Sequence, residues 1–283
     1  MITKRTSAGP AIAGLAVLGF LLAGCGSAPS SAAWPVTTLH YAPDGNFSQS
    51  GRYLPGADGF NLADVNIYQK GKLDSLPAGV RALVWIGECG GATAAFRSAV
   101  GAFAGDSKVF GFYVMDEPDP STCTPAHLLA EDNWIHKHVP GAQTFAILEN
   151  RGSEEHPTFD GAYTPQDSGL DLIGLDPYPV RSELRSPDYA EIAEYVNQVQ
   201  VQGWPVSSIV PVYQAFGGGN YPDDAKGYWV LPTAAQERQM LADWAQLIPD
   251  PTFDYAYSWG SQQGDTALSQ SPALQSVFTA KNK

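Results

Sequence analysis

The chain has few cysteines and few basic residues, and both shortages exclude classes of protein. Three cysteines in 283 residues are too few for a disulfide-stabilised scaffold. The 16 Lys and Arg face 29 Asp and Glu, a net charge of −13. This balance argues against a nucleic-acid partner or an anionic membrane surface, which favour clustered positive charge, and it suits a neutral or cationic partner. Disorder is excluded by 44% hydrophobic and 11% aromatic residues.

Motifs of several enzyme classes are also missing. No Gly-x-Gly-x-x-Gly follows the first predicted strand, so a dinucleotide cofactor has no support. No Gly-x-Ser-x-Gly elbow indicates a serine hydrolase. His136 and His138 are two residues apart on a predicted helix and point to different faces, so we predict no metal site and no cofactor.

The N-terminus has the pattern of an export signal. Lys4 and Arg5 precede an apolar run over 11–24, which is short for a membrane span. The segment Leu-Ala-Gly-Cys that ends at Cys25 resembles the lipobox of bacterial lipoproteins, in which the cysteine is lipidated; an ordinary signal peptide is the alternative. We therefore predict a signal peptide over 1–24, a flexible tether over 25–35 and a single folded domain over 36–283. The resemblance implies an extracytoplasmic protein anchored to the bacterial cell membrane by its lipid.

Cys89 and Cys123 remain as an even pair in an oxidising compartment, where a disulfide is expected. A two-ligand metal site is the alternative, but the chain offers no convincing further ligand. The predicted bridge joins the segments after the third and fourth strands.

Short apolar runs alternate with helical patterns along the domain. The predicted strands are Thr37–Tyr41, Phe60–Ile67, Ala82–Ile86, Val109–Met115, Thr144–Leu148, Leu172–Leu175, Ile209–Tyr213 and Tyr255–Trp259. The predicted helices are Thr93–Phe103, Pro125–His138, Asp188–Gln202 and Thr233–Leu247. Eight such strands predict a single (β/α)₈ TIM barrel whose first units are short, and an open doubly wound sheet is the alternative.

Polar and aromatic residues cluster at the predicted strand ends. Besides Asp64 and Asn66 on the second strand, they are Trp85, Glu88, Asp116, Glu117, Glu149, Asn150, Asp176, Tyr178, Tyr213, Gln214, Tyr257 and Trp259. Barrel enzymes build their sites at this end, so we expect one shared pocket. Aromatic rings stack on the apolar faces of sugars, and the set favours a carbohydrate ligand, although core packing explains any single ring equally well.

Asp116 and Glu117 form the strongest local motif, because both end a very apolar strand. Apolar surroundings and a neighbouring like charge raise a carboxyl pKa, which keeps a general acid protonated. The alternative is structural, with Asp116 capping the next segment and Glu117 paired with a Lys or Arg.

The sequence Asp116-Glu117-Pro118 resembles the Asn-Glu-Pro that commonly ends the fourth strand of clan A glycoside hydrolases. The resemblance implies that Glu117 is the acid/base and that Asp116 contacts the sugar hydroxyl beside the reacting carbon. It also implies that Tyr178 supports the nucleophile and that Trp259 forms the floor of the sugar subsite.

The chain departs from clan A on the seventh strand, where Gln214 stands in place of the nucleophilic Glu. A neutral amide cannot form a glycosyl ester, so Asp176 is our preferred second carboxylate, in either a retaining or an inverting mechanism. Adjacent Asp-Glu also resembles retaining hexosaminidases, in which the Asp orients a substrate acetamido group that acts as the nucleophile.

The sequence thus predicts a monomeric glycoside hydrolase acting on a cell-envelope or environmental polysaccharide. Its catalytic residues are Glu117, Asp116 and Asp176. The predicted substrate-binding residues are Trp85, Glu88, Glu149, Asn150, Tyr178, Tyr213, Gln214, Tyr257 and Trp259. We expect no nucleic-acid partner, and membrane contact only through the anchor. The alternative is a non-catalytic carbohydrate-binding lipoprotein on a degenerate hydrolase barrel.

Overall fold

The computed structural model describes residues 39–223 and 227–283. Within them, eight parallel strands pair in chain order and the first pairs with the eighth, which closes a barrel. This confirms the predicted (β/α)₈ TIM barrel, since an open doubly wound sheet would keep two unpaired edges. The predicted signal peptide, the tether and Cys25 lie outside the described residues. No helix in the described part of the chain is long and apolar enough to cross a membrane.

The strands lie close to their predicted positions. They are β1 (His40–Tyr41), β2 (Leu62–Asn66), β3 (Arg81–Trp85), β4 (Val109–Asp116), β5 (Gln143–Ile147), β6 (Leu172–Leu175), β7 (Ile209–Gln214) and β8 (Asp254–Tyr257). Asp116 is thus the last residue of β4, and Trp259 lies beyond the end of β8.

Among the described residues, six α-helices follow the later strands. They are α1 (Ala94–Gly101), α2 (Pro125–His138), α3 (Pro165–Ser168), α4 (Ala190–Val201), α5 (Ala234–Leu247) and α6 (Pro272–Lys281). Thr233 and Gln236 form the expected capping box at the start of α5. The first two units contain 3₁₀ helices at Pro55–Asp58 and Lys70–Ser75, in agreement with the predicted short units. Helices α3 and α6 were not predicted.

Alternation along each strand divides the core into two layers. Tyr113 of β4 and Tyr255 of β8 belong to the cluster inside the barrel, together with Phe145 and Phe253. Tyr213 of β7 belongs to the layer between the strands and the helices. Successive strand residues face opposite sides of the sheet, so each strand presents every second side chain to the barrel interior, from which the cleft is built.

Candidate active site

Three adjoining cavities form one cleft at the carboxyl ends of the strands. The central cavity, about 220 Å³, is lined by Asp116, Glu117, Asp176 and a set of aromatic rings. Beside it, the Asp64 cavity, about 150 Å³, is lined by residues that include Asp44, Asp64 and Trp85. On the other side, the Glu154 cavity, also about 150 Å³, is lined by residues that include Glu149 and Glu154. Asp116 borders the first two and Glu117 the first and third, so the cleft is continuous across the catalytic candidates.

Asp116 is held at the end of β4 by a tyrosine from the same strand. The Tyr113 hydroxyl donates a 2.6 Å hydrogen bond to Asp116 Oδ1. Although the Asp116 carboxyl opens onto the cleft, protein surrounds it on the other sides, and this desolvation raises the pKa of Asp116 against the opposing effect of Tyr113. The bond fixes the orientation of the carboxyl toward the cavity.

Glu117 has a backbone conformation that is unusual for a residue with a side chain. Its φ of 46° lies in the left-handed region, and its N–H donates to the carbonyl of Ile147 on the neighbouring β5 at 3.1 Å. A non-glycine residue in this region costs on the order of 1–3 kcal/mol, and such residues cluster at functional sites. The turn directs the Glu117 side chain to the boundary between the central and Glu154 cavities.

Asp176 follows β6 and faces Glu117 across the central cavity. Burial raises the pKa of Asp176 well above its usual range, and the charges of Glu117, Asp116 and Glu154 add to this shift in that order. Adjacent carboxyls cannot all ionise easily, so they titrate as a coupled group. The cleft therefore holds a carboxylic acid that keeps its proton at higher pH than a free aspartate.

Glu154, in the loop after β5, is a cleft carboxylate that the sequence reading missed. It is buried and accepts a 2.6 Å hydrogen bond from the Tyr195 hydroxyl. Arg181 lies 3.9 Å away and pairs more closely with Glu191, at 2.7 Å. The place of Glu154 in the cleft depends on Tyr195 of α4 and Arg181 of the loop after β6, so no local sequence pattern marks it.

Aromatic rings form one wall of the central cavity. The Tyr178 ring packs against Phe216 at 5.1 Å, Trp229 at 5.2 Å and Tyr257 at 6.0 Å between centroids. Tyr178 and Tyr257 were predicted, whereas Phe216 and Trp229 lie in the loops after β7, where no pattern marks them. The wall offers the apolar surface that a sugar face requires.

Gln214 and Tyr213 do not reach the cleft, contrary to prediction. Gln214 is fully buried; its Nε2 donates to the carbonyls of Val180 and Val230, and its Oε1 accepts from the N–H of Val180. The amide joins two loops and has no donor left for a ligand. Tyr213 faces the helical layer and packs against Phe278 at 6.1 Å, because it sits on the outward side of β7.

Trp259 and Glu88 also lie outside the three cavities. Trp259 is buried, and its ring centroid lies 6.3 Å from that of Phe60, because the chain leaves β8 before this residue. Tyr257, the last residue of β8, lines the cleft instead. Glu88 is exposed and accepts a 2.6 Å hydrogen bond from the Tyr68 hydroxyl beside α1. Neither residue is placed to contact a ligand in the cleft.

The remaining predicted residues border the cleft. Trp85 lines the Asp64 cavity, and Glu149 and Asn150 line the Glu154 cavity. Glu149 pairs with Arg151 at 2.8 Å, and Asn150 donates to the Tyr195 hydroxyl at 2.8 Å. Both therefore also stabilise the loop after β5.

Cys89 and Cys123 form the predicted disulfide, with Cα atoms 5.2 Å apart. The bond connects the loop after β3 to the loop after β4. The carbonyl of Cys123 also accepts a hydrogen bond from Tyr163 at 2.5 Å. Two loops of the cleft rim are thus joined covalently within a few residues of Glu117.

In the described part of the chain, one group of side chains has the composition of a metal site, and it is outside the cleft. Asp132, His136 and Asp171 bring their ligand atoms within 4.8 Å of one another. His136 Nε2 lies 3.0 Å from Asp132 and 3.2 Å from Asp171. The group sits near the amino ends of β5 and β6, away from the catalytic candidates.

Comparisons with family profiles and with curated proteins found no match. Solved structures share the fold. A chitinase active domain 2 from Pyrococcus furiosus has 12% identity and a TM-score of 0.58, over 88% of this chain and 96% of that chain. A β-galactosidase from Marinomonas ef1 has 12% identity and a TM-score of 0.59, over 86% of this chain and 58% of that chain. The C-terminal domain of a putative chitinase from Desulfitobacterium hafniense has 10% identity and a TM-score of 0.54, over 89% and 100%. The chain therefore has a glycoside hydrolase-like barrel fold.

Proposed function

We propose that this protein is a glycoside hydrolase that cleaves a polysaccharide with a pair of carboxyl groups, Glu117 and Asp176. One observation carries the proposal: Asp116, Glu117 and Asp176 line a single aromatic-walled cavity at the carboxyl ends of the barrel strands. This is the end at which barrel enzymes build their sites. A glycosidic bond requires a protonated carboxyl on the leaving oxygen and an ionised carboxyl opposite it.

The raised pKa of Asp176 refines the roles that the resemblance implies. The clan A pattern assigns the acid to Glu117, whereas the burial of Asp176 favours Asp176 as the group that holds the proton. The partner carboxyl then acts on the other face of the sugar, either on the anomeric carbon or on a water molecule. In this scheme Asp116, which Tyr113 orients, accepts a hydrogen bond from a sugar hydroxyl.

A polysaccharide screen tests the activity. Wild-type protein is expected to release oligosaccharides from at least one polysaccharide, and Glu117→Gln and Asp176→Asn are each expected to release none under the same conditions. Binding of a polysaccharide without any product from wild-type protein would contradict the proposal and support the carbohydrate-binding alternative. Hydrolysis confined to N-acetylated sugars would favour the substrate-assisted scheme, with Asp116 orienting the acetamido group.

We further propose that Cys25 anchors the protein to the outer face of a bacterial membrane. The disulfide between Cys89 and Cys123 is compatible with an oxidising compartment outside the cytoplasm. Cys25→Ser is expected to move the protein from the membrane fraction to the soluble fraction and to abolish labelling by a fatty acid. Retention of the variant in the membrane fraction would contradict the anchor.

A further inference from the structure

The Asp64 cavity is an acidic part of the cleft that adjoins the catalytic candidates. Asp44, Asp64 and Asp116 all border it. Asp64 Oδ2 accepts a hydrogen bond from the N–H of Asp44 at 3.2 Å, and the Gln262 amide donates to Asp44 Oδ2 at 2.5 Å. These bonds fix the carboxyls in place but do not neutralise them.

No lysine or arginine lines this cavity or its two neighbours among the residues that the structure describes. Arg151 pairs with Glu149 and Arg181 lies 3.9 Å from Glu154, so both arginines offset carboxylates of the Glu154 cavity. Burial raises the pKa of Asp44 to about 6 and also raises the pKa of Asp64, and a cation bound beside them would stabilise their ionised forms. Charges in a concave site reinforce one another, so the cavity favours a positively charged occupant.

Tyr255 is a second feature of the same cavity that points to a ligand. Its side chain is 2% exposed and borders both the Asp64 cavity and the central cavity. No group in the described part of the chain forms a hydrogen bond with the Tyr255 hydroxyl, and protein does not fully enclose this oxygen. The hydroxyl therefore opens onto the cavity. The protein leaves this hydroxyl without a partner, so it offers one hydrogen bond to water or to a ligand in the cavity.

We propose that the Asp64 cavity binds the protonated amine of an amino sugar, so that the substrate is a polysaccharide containing hexosamine units without an N-acetyl group. This inference rests on the proposed glycosidase function and names its substrate class. An ammonium group has three donors, and the carboxylates of Asp44, Asp64 and Asp116 are acceptors. Trp85, on the cavity wall, supplies an aromatic surface for the sugar ring.

An N-acetylated sugar would be disfavoured in this cavity. Its amide is neutral and brings one N–H donor, so it cannot offset the desolvation of three carboxylates. The two sugars differ at this one group, which makes them matched ligands for a test.

Calorimetric titration of a hexasaccharide of glucosamine and of the corresponding N-acetylglucosamine hexasaccharide tests the proposal. The titrations use Glu117→Gln protein at low salt, so that no hydrolysis occurs. The glucosamine oligomer is expected to bind at least about tenfold more tightly, since hydrogen bonds between charged groups are the strong ones. The difference is expected to shrink in added salt.

Variants identify the residues responsible. Asp64→Asn and Asp44→Asn, each added to Glu117→Gln, are expected to remove most of the preference for the glucosamine oligomer. Glu88→Gln is the control, because it removes the same charge from an exposed position outside the three cavities. Melting temperatures check that each variant is folded. A preference that survives in both aspartate variants would overturn the assignment to this cavity.

The remaining outcomes separate this inference from the glycosidase proposal. Equal binding of the two oligomers, tighter binding of the N-acetylated one or no binding of either would overturn the amine subsite. Hydrolysis of neutral polysaccharides by wild-type protein would leave the glycosidase proposal intact in each of those cases. Preferential binding of the glucosamine oligomer without hydrolysis by wild-type protein would support the subsite and contradict the glycosidase.

Discussion

Glu117 and Asp176 face each other across the central cavity, and after burial the charge of Glu117 is the largest contribution to the raised pKa of Asp176. The two side chains come from the ends of β4 and β6, which are not neighbours in the barrel. Neither residue alone has the properties of a catalytic acid. The pair acquires these properties in the closed barrel, because the barrel brings the two strand ends to one cavity.

Leaving-group dependence can identify which of the two carboxyls is the acid. A dinitrophenyl glycoside needs no protonation of its leaving group, so the variant that lacks only the acid should keep activity on it. We expect Asp176→Asn to lose about 10²–10⁴-fold in kcat/KM on the polysaccharide but much less on the aryl glycoside. Glu117→Gln should lose activity on both. The reversed pattern would assign the acid to Glu117, as the clan A resemblance implies.

The left-handed backbone at Glu117 predicts a difference between two inactive variants. Glu117→Ala keeps the unfavourable φ of 46°, whereas Glu117→Gly removes the steric cost of a Cβ. We expect the glycine variant to be more stable than the alanine variant by roughly 1 kcal/mol, because a left-handed residue with a Cβ costs about that much. Urea unfolding of both proteins measures the difference. At an ordinary helical or extended position the order would be opposite, so a more stable alanine variant would contradict the strain.

The barrel architecture could be predicted because it depends on local sequence patterns. Part of the cleft could not be predicted, because its residues come together only in the folded chain. Apolar runs such as Val109–Met115 mark buried strands, and each strand end reveals its polar residue, as at Asp116 and Asp176. Sequence could not show that β8 ends at Tyr257 and that the chain leaves the sheet before Trp259, so that only the first of these two rings faces the cleft. Nor could it reveal Glu154, whose role depends on loops folding together from distant parts of the chain.

Loss of the disulfide is expected to destabilise the protein. Cys89 and Cys123 are 34 residues apart, and closing a loop of this length is worth about 4 kcal/mol in chain entropy. Substituting both cysteines with alanine should lower the melting temperature by roughly 8–16 °C for a domain of this size. Scanning calorimetry of the variant and of wild-type protein, each with and without reductant, measures the change in melting temperature. Reductant should affect only the wild-type protein, and an unchanged melting temperature in the variant would contradict a stabilising bridge.

Glu237 on α5 should make stability depend on pH. Both of its carboxyl oxygens are buried without a hydrogen-bond partner, and burial raises the pKa of Glu237 well above its usual range. Because the pKa of Glu237 is higher in the folded state than in the unfolded state, the protein loses stability as the pH rises above the unfolded-state pKa. Glu237→Gln is therefore expected to be more stable than wild type at neutral pH, by roughly 1–3 kcal/mol, with a smaller gap near pH 4.

Urea unfolding across the pH range tests this linkage. Glu194→Gln, an exposed change on α4, removes the same charge and should leave the pH dependence as in wild type. A gap for Glu237→Gln that is constant with pH would show that the carboxyl does not titrate as burial implies.

Introducing the missing carboxylate on β7 should not restore a clan A nucleophile. Gln214 donates its amide to Val180 and Val230 and lies outside the cleft. Gln214→Glu would replace that donor with a buried acceptor opposite two carbonyls, so we expect a loss of roughly 2–3 kcal/mol in stability and no gain in activity. Gln198→Glu, at an exposed position on α4, is the matched control and should be neutral. A rise in kcat for Gln214→Glu would mean that this side chain can reach the substrate, and the assignment of Asp176 as the second carboxylate would then fail.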